Sequence, residues 1–490
     1  LFASFVFCSL TNLVAQPYTL QLQVSGQPEI PVILGRIKGD KFIPVDSVKV
    51  QPVTFSSPAE SGTQNIHPLT PGHRMNISKL TFHLPENSTP GVYRLIFGKT
   101  RVAEIMNEPP QQLDFIFNHE NLVFETDFKA PDDSLKINQS VENLVWFAFK
   151  KQEKEYKAQI KELEMEVNYF QASAKPPEAA KRIEEYNRLQ KKRDELITKI
   201  VTQYPNLFAT KLIKMHREPF LDGNLSEQQR KEIFKAEFFN TIDFEDETLI
   251  NTSVYTTKVF QYLMLYAQKG LKPEQQEQEF MKAVEIILEA IHTMTQSHSM
   301  NNSKVYEFIL DYLVRGFEQM NLNNVLKSIA GKYEGTTCQT DEKTTLERRL
   351  AFLKYMTVGA TVFDFTLNDI NGDPVTLSQI KKGKTLLVFW ASWCPHCTEM
   401  LPQIKNRQKQ QNQQELEIVA ISLDSSETEW KNKVNELGIE SWYNLSGLKE
   451  WDGEVAVKYN IYATPTLIVI GKDRGIISLP VNLDEFKSTF

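Results

Sequence analysis

Cys394-Pro395-His396-Cys397 holds the residues of this chain best suited to covalent chemistry. Two thiols at this spacing support disulfide exchange: Cys394 attacks a disulfide, and Cys397 resolves the mixed disulfide that forms. Zinc binding is the competing use of such a pair, but zinc takes four ligands and no second Cys-x-x-Cys is present. A purely structural disulfide rarely closes so short a loop and has no need of the preceding Trp393. The flanking sequence favours redox chemistry. Thr385-Leu386-Leu387-Val388, leading into Phe389-Trp390, reads as a buried strand, and Thr398-Glu399-Met400-Leu401-Pro402-Gln403-Ile404 has helical apolar spacing. The cysteines therefore stand where a strand turns into a helix. Unpaired N–H groups and the partial positive charge of a helix N-terminus stabilise a thiolate at that position.

With its surroundings, Trp393-Cys394-Pro395-His396-Cys397 resembles the active site of thioredoxin-fold proteins. The neighbouring residues are similar to the TlpA/ResA-like branch, the thiol–disulfide oxidoreductases of the bacterial envelope. Val358-Gly359-Ala360, Phe363-Asp364-Phe365-Thr366-Leu367, Asn371-Gly372 and Leu377-Ser378 resemble that branch's opening strands and turn. Pro402 matches the proline that kinks the active-site helix. Thr464-Pro465-Thr466, followed by Leu467-Ile468-Val469-Ile470, resembles the cis-proline loop. The resemblance covers residues 358–490. It implies an α/β thioredoxin fold without cofactor or metal, and a substrate groove shaped by Trp393, Thr464 and Pro465. Thr464 would present backbone groups to an extended peptide by β-pairing. The implied partners are disulfide- or thiol-bearing envelope proteins and a membrane thiol electron donor.

Three positions bear on the chemistry. Thioredoxin proper carries a buried acid on the strand before its active site; the matching residue here is Val388. The branch often carries Glu three residues after the second cysteine; here that residue is Met400, and Glu399 stands one earlier. One residue rotates a side chain by about 100° on a helix, so Glu399 is only a weak candidate. Pro395 and His396 form the spacer that tunes the pair. A positive imidazole at His396 favours the Cys394 thiolate and weakens the disulfide. The oxidant DsbA shares the Pro-His spacer, whereas the scaffold resembles reductants; the two disagree about direction, and the scaffold slightly favours the reductase.

The chain has 490 residues, enough for two to four domains. Its 41% hydrophobic and 24% charged residues are ordinary for a globular protein. A net charge of −7 argues against nucleic acid or anionic membrane as the main partner. No internal apolar run is long enough to span a bilayer. Residues 1–15 are apolar and end on Leu13-Val14-Ala15, which reads as the h-region and cleavage site of a secretory signal. Its charged beginning is absent, so a truncated signal is expected. Val6-Phe7 before Cys8 is a poor match to a lipoprotein signal, so anchoring through Cys8 is not favoured. Cleavage at Ala15 leaves Cys338, Cys394 and Cys397, and scarce cysteines in an exported protein fit a catalytic pair. Cys338 has no obvious partner. The expected location is the periplasm or cell envelope.

Residues 16–131 read as a β-sandwich-like domain. Leu20, Leu22 and Val24 alternate with polar residues, as do Tyr93, Leu95 and Phe97. Residues 113–117 and 122–126 flank Asn118-His119-Glu120-Asn121 and predict a hairpin. His73, His83 and His119 share no ligand spacing and read as surface residues. Residues 140–356 read as all-α. Ile160, Leu163, Val167 and Phe170 form one stripe; Ile183, Tyr186, Leu189, Leu196 and Ile200 form another across Pro176-Pro177, predicting an antiparallel helical hairpin. Further helices are expected over 227–239, 253–268, 273–295, 304–320 and 342–355. Two other functions compete with disulfide exchange. A thiol peroxidase needs Pro-x-x-x-Thr/Ser-x-x-Cys, but Leu387 and Ala391 occupy those places. An envelope binding protein would use the first 350 or so residues, which hold most of the mass and no recognisable catalytic motif.

Overall fold

The computed structural model describes residues 17–50, 77–173, 176–294, 304–332, 341–380, 383–410 and 416–489. The expected signal segment, Cys8, His73 and Cys338 lie outside them. The chain forms two compact units. The first takes residues 1–267, 286–296 and 304–309, and the second takes 268–285, 297–303 and 310–490. Among the described residues, no helix is long and apolar enough to cross a membrane.

The first unit opens with eight strands: β1 (Tyr18–Ser25), β2 (Val32–Lys38), β3 (Lys41–Val48), β4 (Ile77–Leu84), β5 (Gly91–Gly98), β6 (Gln111–Phe117), β7 (Leu122–Asp127) and β8 (Lys136–Gln139). They form two four-stranded sheets, ordered β4-β1-β7-β8 and β3-β2-β5-β6. Period-two alternation turns Leu20, Leu22 and Val24 of one sheet and Tyr93, Leu95 and Phe97 of the other into one shared core. The expected sandwich is present, and it extends through β8, past residue 131. A short helix, α1 (Arg101–Ile105), capped by Thr100, joins β5 to β6.

The expected hairpin over residues 113–126 does not form. β6 pairs with β5, whereas β7 pairs with β1 and β8, so the two strands belong to opposite sheets. Alternation fixes which face is apolar, not which strand lies alongside. Phe115 and Phe124, on opposite sheets, meet edge to face across the core with ring centroids 5.6 Å apart. The chain turns over through His119, whose φ is +52°. His83 and His119 are exposed, as expected of surface histidines.

Two long helices follow, α2 (Val141–Ala172) and α3 (Pro176–Gln203). Pro176 opens α3, a position where proline removes no needed hydrogen bond. Leu163 and Val167 meet Tyr186, Ile183 and Leu189 at one end of the pair. Phe149 meets Ile197 at the other, so the helices are antiparallel as the two stripes predict. Asn143, fully buried in the first turn of α2, holds both backbone groups of Ile116 on β6: it accepts from the N–H at 2.8 Å and donates to the carbonyl at 2.7 Å. Its neighbour Glu142 accepts from the backbone N–H groups of Phe208 and Ala209, which open α4 (Phe208–Lys214). A carboxylate there satisfies orphan donors and complements the helix dipole. Helices α5 (Glu227–Glu237), α6 (Val254–Met264), α7 (Pro273–Met294) and α8 (Lys304–Gln319) occupy expected positions. So does α10 (Asp341–Tyr355); α9 (Asn323–Lys332) and α4 were not expected.

In the second unit a seven-stranded sheet is built from β9 (Thr366–Asp369), β10 (Pro374–Thr376), β11 (Lys384–Trp390), β12 (Leu416–Ser422), β13 (Tyr443–Ser446), β14 (Thr466–Gly471) and β15 (Ile476–Ser478). Its order is β10-β9-β13-β12-β11-β14-β15. β11 runs parallel to β12 and antiparallel to β14. Residues 385–390 are buried without a break, the mark of a strand covered on both faces. The associated helices are α11 (Pro395–Gln410), α12 (Glu427–Leu437), α13 (Glu454–Lys458) and α14 (Leu483–Ser488). The chain is thus multidomain, with N-terminal sheets, a central helical region and a C-terminal mixed sheet.

Candidate active site

Trp390 ends β11, and Pro395 begins α11 five residues later. This places Cys394 just before the helix and Cys397 in its first turn, bonded to each other with Cα atoms 5.3 Å apart. Cys394 is 5% exposed and Cys397 fully buried, so the first sulfur is the one nearer solvent. The backbone N–H of Cys397 points at the Cys394 Sγ from 3.2 Å. A donor so placed stabilises negative charge on that sulfur.

The loop leading into β14 closes the other side. The Thr464–Pro465 peptide bond is cis, as the resemblance to a cis-proline loop implies. The Thr464 carbonyl oxygen lies 3.5 Å from the Cys394 Sγ. Trp393 is 52% exposed, and its ring faces that of Trp451 at a centroid distance of 6.3 Å. Trp393-Cys394 and Thr464-Pro465, two adjacent pairs 70 residues apart in sequence, therefore share one rim.

The remaining sequence candidates fall around this centre. Pro395 and His396 are exposed on the first turn of α11. Glu399 is exposed, whereas Met400 packs against the domain core, as their one-residue offset predicts. Val388 is fully buried on β11, so an aliphatic side chain fills the place of the acid. Pro402 lies inside α11.

Asp424 went unnoticed in the sequence. It is 1% exposed, two residues beyond β12. Its carboxylate accepts from the Ser392 backbone N–H at 3.1 Å and from the Ser392 and Ser422 hydroxyls at 2.6 Å each. The loop between β11 and α11 is thus held by a buried charge with three donors, the condition under which such a charge is tolerated. An acid just beyond the apolar run Ile418-Val419-Ala420-Ile421, in Ser422-Leu423-Asp424, was the available signal.

Helices α8 and α10 reach the same rim. Arg349 of α10 pairs with Glu318 and Asp311 of α8, and Tyr462 donates its hydroxyl to Glu318 at 3.3 Å. Phe352 meets the Tyr462 ring edge to face. Arg348 donates to the Trp451 carbonyl at 2.8 Å. Burial and the Glu318 carboxylate push the Tyr462 phenol well above its ordinary range. Two carboxylates, outweighing burial, hold Arg349 firmly protonated.

With strand, helix and cis-proline loop in place, the C-terminal domain is a thioredoxin-like domain, and residues 358–478 match the AhpC/TSA family. Among characterised relatives, it is similar to the thiol-disulfide oxidoreductase ResA of Bacillus subtilis, with 27% identity over 121 residues, 25% of this chain and 65% of that protein. A thioredoxin-like protein of Haemophilus influenzae is 28% identical over 126 residues, 26% of this chain and 71% of that protein. These matches span about a quarter of the chain and about two thirds of the relatives. Among solved structures, a thiol-disulfide oxidoreductase from Bacteroides fragilis covers 26% of this chain and 99% of its own, with 23% identity and a TM-score of 0.25. A thioredoxin-like protein from Bacteroides caccae covers 54% of this chain and 93% of its own, with 18% identity and a TM-score of 0.35.

Proposed function

We propose that this protein is a thiol–disulfide oxidoreductase of the bacterial envelope, working through Cys394 and Cys397. The supporting observation is the position of the Cys394 sulfur, between the Cys397 N–H and the Thr464 carbonyl. In the reductase direction, the Cys394 thiolate attacks a substrate disulfide, expelling one substrate thiolate and forming a mixed disulfide. The Cys397 thiolate then attacks Cys394, releasing the second substrate thiolate and leaving the Cys394–Cys397 disulfide. Two electrons pass to the substrate, and a membrane thiol donor restores the pair.

The groove residues would be Trp393, Thr464 and Pro465, with the substrate chain laid along the Thr464 backbone. His396 and Pro395 tune the thiolate. Substrates are envelope proteins carrying disulfides or thiols. The three regions, residues 16–131, 140–356 and 358–490, are read as domains, with an exported location implied by residues 1–15. Insulin-disulfide reduction by the full chain tests the activity: turnover lost in Cys394→Ser supports it, and turnover retained there sinks it. Equilibration with glutathione gives the direction. A potential near about −270 mV marks a reductant, and one near about −120 mV marks an oxidant.

A further inference from the structure

Within the first unit, a cleft of about 240 Å³ lies where β5 and β6 meet α2, α4 and α6. Its apolar wall is Trp146, Val92, Leu212, Met215 and Val254. Its polar wall includes three lysines, Lys150, Lys157 and Lys258, together with His216. One carboxylate lines it, Asp114, and that is already held by Arg94 at 2.6 Å. Apolar walls with a few convergent polar groups at a junction of elements are the usual form of a small-molecule site, and this cleft is below the roughly 300–1,000 Å³ of drug-sized ligands.

The charges behind the cleft do not balance. Arg193 donates to Glu153 at 2.6 Å and to Glu218 at 2.9 Å. Lys157 is 3.1 Å from Glu218 and 3.5 Å from Glu153. Both carboxylates are therefore shared by cations already paired. Lys150 is paired elsewhere, with Asp132 at 3.1 Å. Lys258 makes no ion pair or hydrogen bond among the described residues; its ammonium lies 5.5 Å from the centroid of the Phe238 ring. The groups acting on Lys258 are Glu218, Lys157, Arg193 and Glu153. Burial, with repulsion from Lys157 and Arg193, pulls its ammonium down to about 8. Burial also lowers His216, against the pull of Glu153, so the imidazole is neutral at pH 7 and does not compete for an anion's charge. Three cations then face two carboxylates, and the charge left over is on Lys258. Ser253, the N-cap of α6, makes no side-chain cap bond and lines the same cleft.

We propose that this cleft binds a small organic anion, a carboxylate on an apolar body, with its charge on Lys258 and its body against Trp146, Leu212 and Met215. An anion supplies the charge that the cluster lacks, in a partly dehydrated site where an ion pair counts for more than at the surface. The apolar wall selects against fully hydrated inorganic anions, which gain nothing from it.

Benzoate is the probe, with benzamide as its uncharged isostere and inorganic phosphate as the anion without a body. The full chain at pH 7 is titrated calorimetrically and by thermal shift. Benzoate is expected to bind and raise the melting temperature, with benzamide and phosphate far weaker. Lys258→Met keeps the stem and removes the charge; it should fold and weaken benzoate by about tenfold. Benzoate affinity should also fall as pH rises past about 8, where Lys258 loses its proton. Absence of benzoate binding, equal binding of benzamide, or undiminished binding by Lys258→Met each overturns the proposal. Phosphate binding as tightly as benzoate overturns the role of the apolar wall.

Discussion

The Arg349 guanidinium lies over the Tyr462 ring, 5.6 Å from its centroid, and both residues bond the same Glu318 carboxylate. Tyr462 stands two residues before Thr464, whose carbonyl meets the Cys394 sulfur. Helices α8 and α10 are thereby joined to one wall of the candidate active site.

Arg349→Ala leaves Glu318 without its cation, while Asp311 keeps Arg315 at 2.8 Å. It is expected to destabilise this unit by about 3 kcal/mol, measured by urea unfolding, with Arg349→Lys recovering only part because the planar fork is lost. Residues 358–490 contain the full set of C-terminal strands and helices, so that fragment should fold and reduce a small disulfide. It lacks Arg349, Phe352 and Met356, which pack on Tyr462 or on the domain core, and should melt below a fragment starting at residue 304. An unfolded 358–490 fragment by circular dichroism would refute this.

The two cysteines should separate in trapping experiments. Cys397→Ser removes the resolving thiol and should accumulate mixed disulfides with envelope proteins. Cys394→Ser should accumulate none, because Cys397 is fully buried. Equal trapping by both, seen on non-reducing gels, counts against the assignment.

Helix-end effects at exposed positions are worth roughly 0.3–1 kcal/mol, under one pKa unit. If the Cys394 thiol titrates well below the free value of about 8.5, His396 should carry much of the difference. His396→Gly is then expected to raise the Cys394 pKa and make the couple more reducing, followed by thiolate absorbance and glutathione equilibration. An unchanged pair of values would leave the Cys397 N–H as the tuning group.

Asp424→Ala leaves the Ser392 N–H and two hydroxyls without their acceptor, at a cost of about 1–3 kcal/mol for unsatisfied buried groups. Because the loop it holds carries Trp393 and Cys394, insulin reduction should lose kcat more than KM. Asp424→Asn keeps an acceptor oxygen and should restore most of that loss; a loss of stability with kcat intact would make the residue merely structural.

Acid and base should act on opposite members of the helical cluster. Burial alone would raise the Glu153 carboxyl, but His216 and Arg193 hydrogen bonds, with the Arg193 and Lys157 charges, bring it down to about 2. Folding favours its ionised form, so that contribution is complete above about pH 4.5 and lost as pH falls towards 2. Lys258 is depressed from 10.5 to about 8, so folding disfavours its ammonium. Stability should rise with pH between those two values. Urea titrations across this range check both limbs; Glu153→Gln should flatten the acid limb and Lys258→Met the alkaline one.

Local pattern carried much of this architecture. Leu20, Leu22 and Val24 betray a strand because burial follows the pleat, and Leu163, Val167 and Tyr186 betray paired helices by their spacing. Cys394 and Cys397 could be placed at a strand–helix junction because all the relevant residues are adjacent in the chain. Pairing is different: nothing in residues 113–126 tells a hairpin from a crossing between sheets. Asp424 and Arg349 were hidden for the same reason, since their partners Ser392 and Tyr462 are distant in sequence. A lysine in a helix ordinarily reads as solvated, so Lys258 gave no hint that it would be half-buried.

β6 is the outermost strand of its sheet, and such strands offer free amides to any passing chain. Asn143 occupies that position at Ile116, where its carboxamide takes the place of a further strand's peptide group. One side chain of a helix thus acts as a plug against edge-to-edge aggregation. Its loss would be felt first as concentration-dependent self-association, at protein levels where the intact chain stays dispersed.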